Sequence, residues 1–321
     1  MTNVQTSRLG LGLAALGRPA YITSGRAHDV GTARSVEEMR DRTADVLDTA
    51  YACGIRYVDV ARSYGLAEQF LADWLASRPE IEDVEVASKW GYRYVGDWQM
   101  TADVHEVKDH SLAAFTRQLA ETKQILGDRV DLYQVHSVTP DSPVLTDREL
   151  HRALAEVRDG GLRLGLSTSG PRQADVIRAA LSIEAGGQRL FTSVQSTWNL
   201  LETSAAPALS EAHAEGVAVV VKEVFANGRL APGGTDVAPG GELATRVAAD
   251  LEIGLDQLAL AAAYGQPWSP RLLSGAASSS HVRSHVAGAG IALPSTAAEA
   301  LRAAAEDPAD YWAARAHREW A

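Results

Sequence analysis

Short apolar or β-branched runs recur along the 321-residue chain, with longer amphipathic, alanine-rich segments between them. Runs of four to eight such residues bounded by turn residues read as buried strands, and apolar recurrence at three and four residues reads as helix. The strands fall at residues 8–13, 56–61, 84–90, 130–136, 162–167, 191–196, 218–224 and 272–275. Helical stretches follow them, as at 68–76, 111–126, 147–158, 172–185 and 204–215. Eight β/α units with near-continuous hydrophobic strands predict an α/β fold, a closed parallel (β/α)8 TIM barrel rather than an open sheet. No linker or composition break divides the chain, so residues 1–321 are expected to form a single domain.

Three stretches exceed the usual connection length: residues 17–35, 91–110 and 227–241. Each follows a strand, and in such a barrel the loops after strands build the active face. The middle stretch carries Tyr92, Tyr94 and Trp98, which either wall a substrate pocket or form the loop's own small core. A helical tail from about residue 296, ending in Tyr311, Trp312 and Trp320, is expected to cap the helical shell.

Composition narrows the function. Thirty basic against 41 acidic residues give a net charge of −11, which argues against nucleic acid or an anionic membrane as the main partner. No apolar run approaches a membrane span and the start lacks a leader pattern, so a cytoplasmic protein is expected. The single cysteine, Cys53, excludes a disulfide framework or a thiolate zinc site and reads as packing. Only Lys89, Lys108, Lys123 and Lys222 are lysines, so a lysine inside an apolar strand is a specific choice of a titratable amine. Lys89 and Lys222 are both of that kind.

Asp59, Lys89 and His136 stand within or at the ends of successive apolar strands, where an unpaired charge is strongly disfavoured. Asp59 and Lys89 can pair, and Tyr64, five residues past Asp59, can place its phenol beside the ammonium. A neighbouring cation lowers a phenol's pKa, and His136 can hold a substrate oxygen. Such a set suits protonation of a carbonyl oxygen while a hydride reaches its carbon. Each residue alone also has a purely structural reading; the coincidence at one end of three strands favours the chemistry.

The segment GIRYVDVARSYGLAEQFL resembles the signature of the aldo-keto reductase family. VDLYQVHSV with GGLRLGLSTSG, VQSTWNLLE and KEVFANGRL are similar to its later motifs, in order, from Arg8 to His285. The resemblance implies that Tyr64 is the general acid/base, tuned by Lys89 and Asp59, and that His136 orients the carbonyl. It places Ser167 and Gln195 at a nicotinamide carboxamide, with Thr168 where the family has asparagine. Lys222 stands where the family stacks a ring on the nicotinamide; its stem can pack and its ammonium can reach a cofactor phosphate or the substrate. In SGAASSSHVRSH, Gly275 matches, Ser278 and Ser279 offer hydroxyls at a helix start, and Arg283 follows. Ala277 replaces the arginine that would grip a 2′-phosphate, which weakens a family leaning to NADP(H) over NAD(H). Trp90, Tyr92, Trp98 and Trp198 are the expected substrate-pocket aromatics, and no metal is expected, because His281 and His285 lack a third ligand.

The expected activity is reduction of an aldehyde or ketone, with oxidation of a sugar or polyol as the alternative. A cofactor-binding regulatory module with vestigial catalysis is the reading from another class. GLGLAALG at Gly10, Gly12 and Gly17 hints at a dinucleotide-binding turn, but Pro19 and Gly25 follow where that motif needs a helix. Sequence leaves oligomeric state and substrate identity open.

Overall fold

The computed structural model describes residues 8–21, 33–234, 238–268, 271–318 and 320. Eight parallel strands close into a barrel: β1 Leu9–Gly12, β2 Tyr57–Asp59, β3 Glu85–Trp90, β4 Val130–Val138, β5 Arg163–Thr168, β6 Ser193–Thr197, β7 Ala218–Lys222 and β8 Arg271–Ser274. Closure comes from β8 pairing alongside β1, with Leu9 opposite Leu272. Inward positions supply Tyr57, Ala87, Leu132, Val220 and Leu273, a compact apolar layer inside the barrel. Closure leaves no unpaired strand edge, and side chains fill the lumen as a core.

The helices pack outside this ring: α1 Val36–Ala52, α2 Ala67–Ala76, α3 Leu112–Leu126, α4 Arg148–Asp159, α5 Gln173–Leu181, α6 Ala206–Ala214, α7 Pro239–Asp250, α8 Leu255–Tyr264 and α9 Ser279–Ala289. Their starts follow capping chemistry. Ser35 accepts from the Glu38 amide while the Glu38 carboxylate accepts from the Ser35 amide, and Asp147 accepts from two amides of the first turn of α4. Cys53 caps the C-terminal end of α1 and packs, partly buried, against the core.

The helix expected over 172–185 stops at Leu181. Glu184–Ala185 instead pairs with Gln188–Arg189 across Gly186 and Gly187, whose φ of +64° and +74° suit a tight hairpin turn. Within the stretch 91–110, Tyr92–Tyr94 pairs antiparallel with Glu106–Lys108. Parts of the other two long stretches, 22–32 and 235–237, lie outside the described residues. The tail forms α10 Ser295–Ala300, a 3-10 turn Leu301–Ala304 and α11 Pro308–Ala316. Its 3-10 turn packs on α7, over the helical shell it is expected to cap, and α11 also reaches the mouth of the barrel, where Arg315 pairs with Glu223 and Tyr311 Oη accepts from Asn199 Nδ2 at 3.0 Å. Among the described residues, no helix is long and apolar enough to cross a membrane.

Of the glycines that hinted at a dinucleotide turn, Gly10 and Gly17 serve packing, and Gly12 lines the cavity described below. A Cβ on Gly10 would stand 2.7 Å from the Tyr57 ring, and one on Gly17 only 2.2 Å from the Tyr64 carbonyl oxygen and 2.4 Å from the Ala67 Cβ. Gly17 thus lets the loop after β1 press against the turn that carries Tyr64. Gly17→Ala is expected to lower unfolding free energy by about 2 kcal/mol, because the crowded neighbours are backbone and a short side chain. Urea denaturation followed by circular dichroism checks it, and a wild-type midpoint would show that the loop does not press there.

Candidate active site

Asp59 ends β2, Lys89 lies one residue from the end of β3, and β4 carries His136 near its own end. Because strand side chains alternate, Ala87 and Lys89 share the inward face of β3, and Leu132, Gln134 and His136 share that of β4. The register brings them level: Asp59 is opposite Ala87, and Lys89 is opposite Gln134. Gly165 of β5 lets β6 approach, since a Cβ there would lie 2.8 Å from the Ser193 carbonyl oxygen, and it leaves room beside Gln134, whose Cγ would be 3.3 Å away. A bulge interrupts β4 after Val135, with Ser137 at φ +53°. The Ser137 amide donates to Ser167 Oγ at 2.8 Å, which satisfies the group the bulge frees.

Lys89 Nζ donates to Asp59 Oδ1 and to the Val60 carbonyl oxygen at 3.1 Å, and lies 3.4 Å from Tyr64 Oη. Tyr64 Oη is in turn 3.5 Å from His136 Nε2, whose Nδ1 stands 3.3 Å from Ser63 Oγ. The Asp59 Oδ2 atom accepts from Gln195 Nε2 at 2.8 Å and from Gln134 Nε2 at 3.4 Å. The four residues expected together therefore do meet, in one polar chain. Behind it, His110 links the His136 carbonyl oxygen at 2.8 Å to Ser142 Oγ at 2.7 Å.

Burial dominates the electrostatics. It holds the Tyr64 phenol well above its ordinary pKa, Asp59 adds to that, and the Arg18 cation opposes it. The lowered phenol pKa expected from a neighbouring cation is thus overturned, because withdrawal from water outweighs the cations. Burial also lowers the Lys89 amine, against the pull of Asp59. His136 sits well below the usual imidazole value, through burial and then Lys89, Lys222 and Arg18. It is neutral at physiological pH. Burial brings His110 down to about 4.

A cavity of about 460 Å³ opens over this chain. Asp59, Tyr64, His136, Gln195 and Lys222 line it at the strand ends, and Gly275, Ser280, His281 and Ser284 line it toward α9. An added Cβ on Gly275 would meet nothing within 4 Å, so the backbone stands open to a ligand there. A cavity lined at one part by Tyr64 and His136 and at another by the first turn of α9, where amides and hydroxyls favour anions, fits a nicotinamide dinucleotide.

Several expected contacts lie elsewhere. Ser167 serves the β4 bulge, and the Thr168 hydroxyl is fully buried, 2.7 Å from Ser196 Oγ. Ser278 caps α9, while Ser279 Oγ lies 2.8 Å from Thr49 Oγ1 on α1. Arg283 is exposed and is not among the cavity residues. Of the aromatics, Trp90 is fully buried against Phe115, and Trp198 packs edge-on against Trp268. Trp98 donates its indole N–H to the Arg34 carbonyl oxygen and packs near Phe70 of α2, so it ties the loop to the main core and is neither a cavity wall nor part of a core of the loop's own. Tyr92 does not line the cavity, but its ring meets His136 edge-on at 5.2 Å.

Sequence reasoning missed Arg18, Glu106, Glu223 and Arg315, all of which line the cavity. Arg18 is buried, donates to Glu106 Oε1 at 2.7 Å and to the Ser63 carbonyl oxygen at 2.9 Å, and lies 5.3 Å from the Tyr64 ring centre. Arg315 grips Glu223 through Nε at 3.0 Å and Nη2 at 2.5 Å. Burial lowers the adjacent Lys222 to about 8, while Glu223 is held down to about 2 by Arg315 and Lys222 against its own burial.

The sequence profile of the Aldo/keto reductase family matches residues 8–305. An aldo-keto reductase of Strobilurus tenacellus is 32% identical over 157 residues, 46% of this chain and 43% of that protein. D-threo-aldose 1-dehydrogenase of a Pseudomonas species is 30% identical over 208 residues, 60% of this chain and 62% of that protein. The matched stretches thus span less than two thirds of these curated relatives. The solved holo form of an aldo-keto reductase from Bacillus halodurans has the same fold, with a TM-score of 0.69 at 22% identity over 94% of this chain and 92% of that one. A profile match over nearly the whole chain, on a closed eight-stranded barrel, means that the chain belongs to the Aldo/keto reductase family.

Proposed function

We propose that the protein is a nicotinamide-dependent oxidoreductase that reduces an aldehyde or ketone, with Tyr64 as the proton donor. The observation that carries this reading is the chain Asp59–Lys89–Tyr64–His136, with Tyr64 and His136 lining the cavity. A bound reduced nicotinamide supplies the hydride. Gln195, Gly275, Ser280, His281 and Ser284 are the residues placed to hold that group.

Tyr64 keeps its proton at neutral pH and so enters the reaction as an acid. Neutral His136 can donate one hydrogen bond to the substrate oxygen without competing for the proton. As charge gathers on that oxygen the phenol proton moves to it, and the phenolate left behind faces the Lys89 ammonium. The hydrogen bonds of 3.4 and 3.5 Å suit a site that tightens when substrate arrives.

A second reading, oxidation of a sugar or polyol, is favoured by the relative named as an aldose 1-dehydrogenase. In that direction Tyr64 accepts the alcohol proton.

Cofactor choice turns on the α9 part of the cavity. Asp256 lies there with Ala277, and no arginine of α9 lines the space. A 2′-phosphate would meet a carboxylate without a guanidinium, so NAD(H) is favoured over the NADP(H) toward which the resemblance leans. Nucleotide fluorescence titration is expected to give tighter binding of NADH than of NADPH; the reverse order would overturn this choice.

Tyr64→Phe should lower turnover by about 10²- to 10⁴-fold while nucleotide binding stays at the wild-type level. Wild-type turnover in that variant would end the proposed mechanism. The neutral histidines also give a stability signature. The unfolded chain takes a proton on His110 near pH 6.5, whereas the folded chain resists it until about 4. Acid therefore favours unfolding through that window, and the effect vanishes above it. Relative to His110→Gln, wild-type unfolding free energy should fall by on the order of 1 kcal/mol per pH unit below 6.5. Parallel urea melts of the two proteins between pH 7 and 4.5 measure the difference, and equal slopes would refute it.

A further inference from the structure

Among the described residues, the charges around the proton-transfer chain do not balance. Arg18 has Glu106, Lys89 has Asp59, and Arg315 grips both oxygens of Glu223. Lys222 is the fourth cation, and it shares the Glu223 carboxylate with Arg315. It donates to the Thr197 hydroxyl at 2.8 Å and stands 3.6 Å from Glu223 Oε1, an oxygen already taken by Arg315. At the strand ends four cations thus face three carboxylates, a surplus of one positive charge on a chain whose net charge is −11; the fourth carboxylate of the lining, Asp256, lies toward α9, where it accepts from Ser284 Oγ.

That surplus is held at the cavity. Lys222 ends β7 beside Thr197 of β6, lines the space over Tyr64 and His136, and is only 15% exposed. A poorly solvated ammonium with one neutral acceptor and only a share of a carboxylate that Arg315 grips is incompletely neutralised, and a ligand anion would complete it. Resting on the reading of this cavity as a hydride-transfer site, we propose that Lys222 anchors an anionic group of the ligand. The substrate is then a carbonyl compound, or its alcohol, that carries a carboxylate or phosphate. The same chemistry is offered by a cofactor phosphate, and the two sources separate by experiment.

The ammonium's acidity supports the proposal. Burial lowers the Lys222 amine to about 8, Glu223 opposes this, and Arg315 and Lys89 reinforce it. The groups that bear on it are thus Glu223 of the loop after β7, Arg315 of α11, Lys89 of β3 and neutral His136 of β4, with the Trp312 ring 5.8 Å away. An anion beside it would hold the proton on, so anion affinity should fade as pH rises past about 8.

The test compares wild type, Lys222→Met, which keeps a stem without charge, and Lys222→Arg, which keeps the cation. Three measurements are made: kcat/KM for 4-oxobutanoate against butanal, succinate binding followed by tryptophan fluorescence, and NADH and NADPH binding. Wild type is expected to prefer 4-oxobutanoate by about 30-fold, Lys222→Met to lose at least about tenfold of that preference, and Lys222→Arg to retain most of it. Succinate should bind wild type more tightly at pH 7 than at pH 9.5, with no such difference in Lys222→Met. If Lys222→Met instead weakens both nucleotides and leaves the succinate affinity unchanged, the anchored anion is a cofactor phosphate. If neither succinate nor nucleotide affinity changes, the anchor proposal is wrong. Failure of wild type to reduce either aldehyde counts against the hydride-transfer reading, while the two binding measurements still decide the anchor.

Discussion

Lys89 and Asp59 are 0% and 2% exposed, and opposite charges taken that far from water offset their desolvation only if their remaining protons and lone pairs find partners. Much of the upper barrel supplies those partners. Gln195 and Gln134 come from β6 and β4 to one oxygen of Asp59, and the Val60 carbonyl oxygen takes another ammonium proton. The third direction of the ammonium is Tyr64. An ion pair that stood alone would hold the strands together at best. Here the arrangement leaves one proton of a buried cation facing a phenol, so the requirement that stabilises the pair also positions the proposed acid.

His136 reaches the same point by a different device. A regular β4 would run on without interruption, but the bulge at Ser137 breaks the ladder just after His136, and pairing with β5 resumes only at Val138. Ser167 answers the freed amide, and His110 holds the His136 carbonyl oxygen. The serine that the family resemblance assigns to a cofactor is thus structural in its observed contact. Its hydroxyl supports the strand that carries a proposed substrate-binding imidazole.

The parts legible from sequence are those whose cause is local. All eight strands are found, because buried strands are short apolar runs, and Asp59, Lys89 and His136 stand out because ionisable residues interrupt such runs. Helix α5 runs short of its pattern because Gly186 and Gly187 turn the chain just beyond Ala185, which a periodicity count does not weigh. Side-chain direction is the other gap. Trp90 and Trp198 sit in the right strand ends and point into the core, and Ser279 faces α1. Arg18 and Arg315 find their acids 88 and 92 residues away, so no spacing rule could pair them. Only Lys222 gave a hint, as one of four lysines on an arginine-rich chain.

The loop after β7 shows what those long-range pairs hold in place. Glu223, Ala226 and Asn227 have φ of +56°, +48° and +55°, and left-handed backbone at a residue other than glycine costs on the order of 1 kcal/mol or more. Such a path persists only where its surroundings fix it. The C-terminal helix does so: Arg315 takes the Glu223 carboxylate, and Arg318 donates to the Ala226 carbonyl oxygen at 3.2 Å and to Asn227 Oδ1 at 3.1 Å. Arg229 returns the link by pairing with Glu306. Because Glu223, Phe225 and Asn227 line the cavity, the tail shapes the site through the loop as well as by contributing Arg315 itself. The ionic links that fix a strained loop also occupy the carboxylate nearest Lys222, so the loop's geometry and the incomplete neutralisation of Lys222 have one origin.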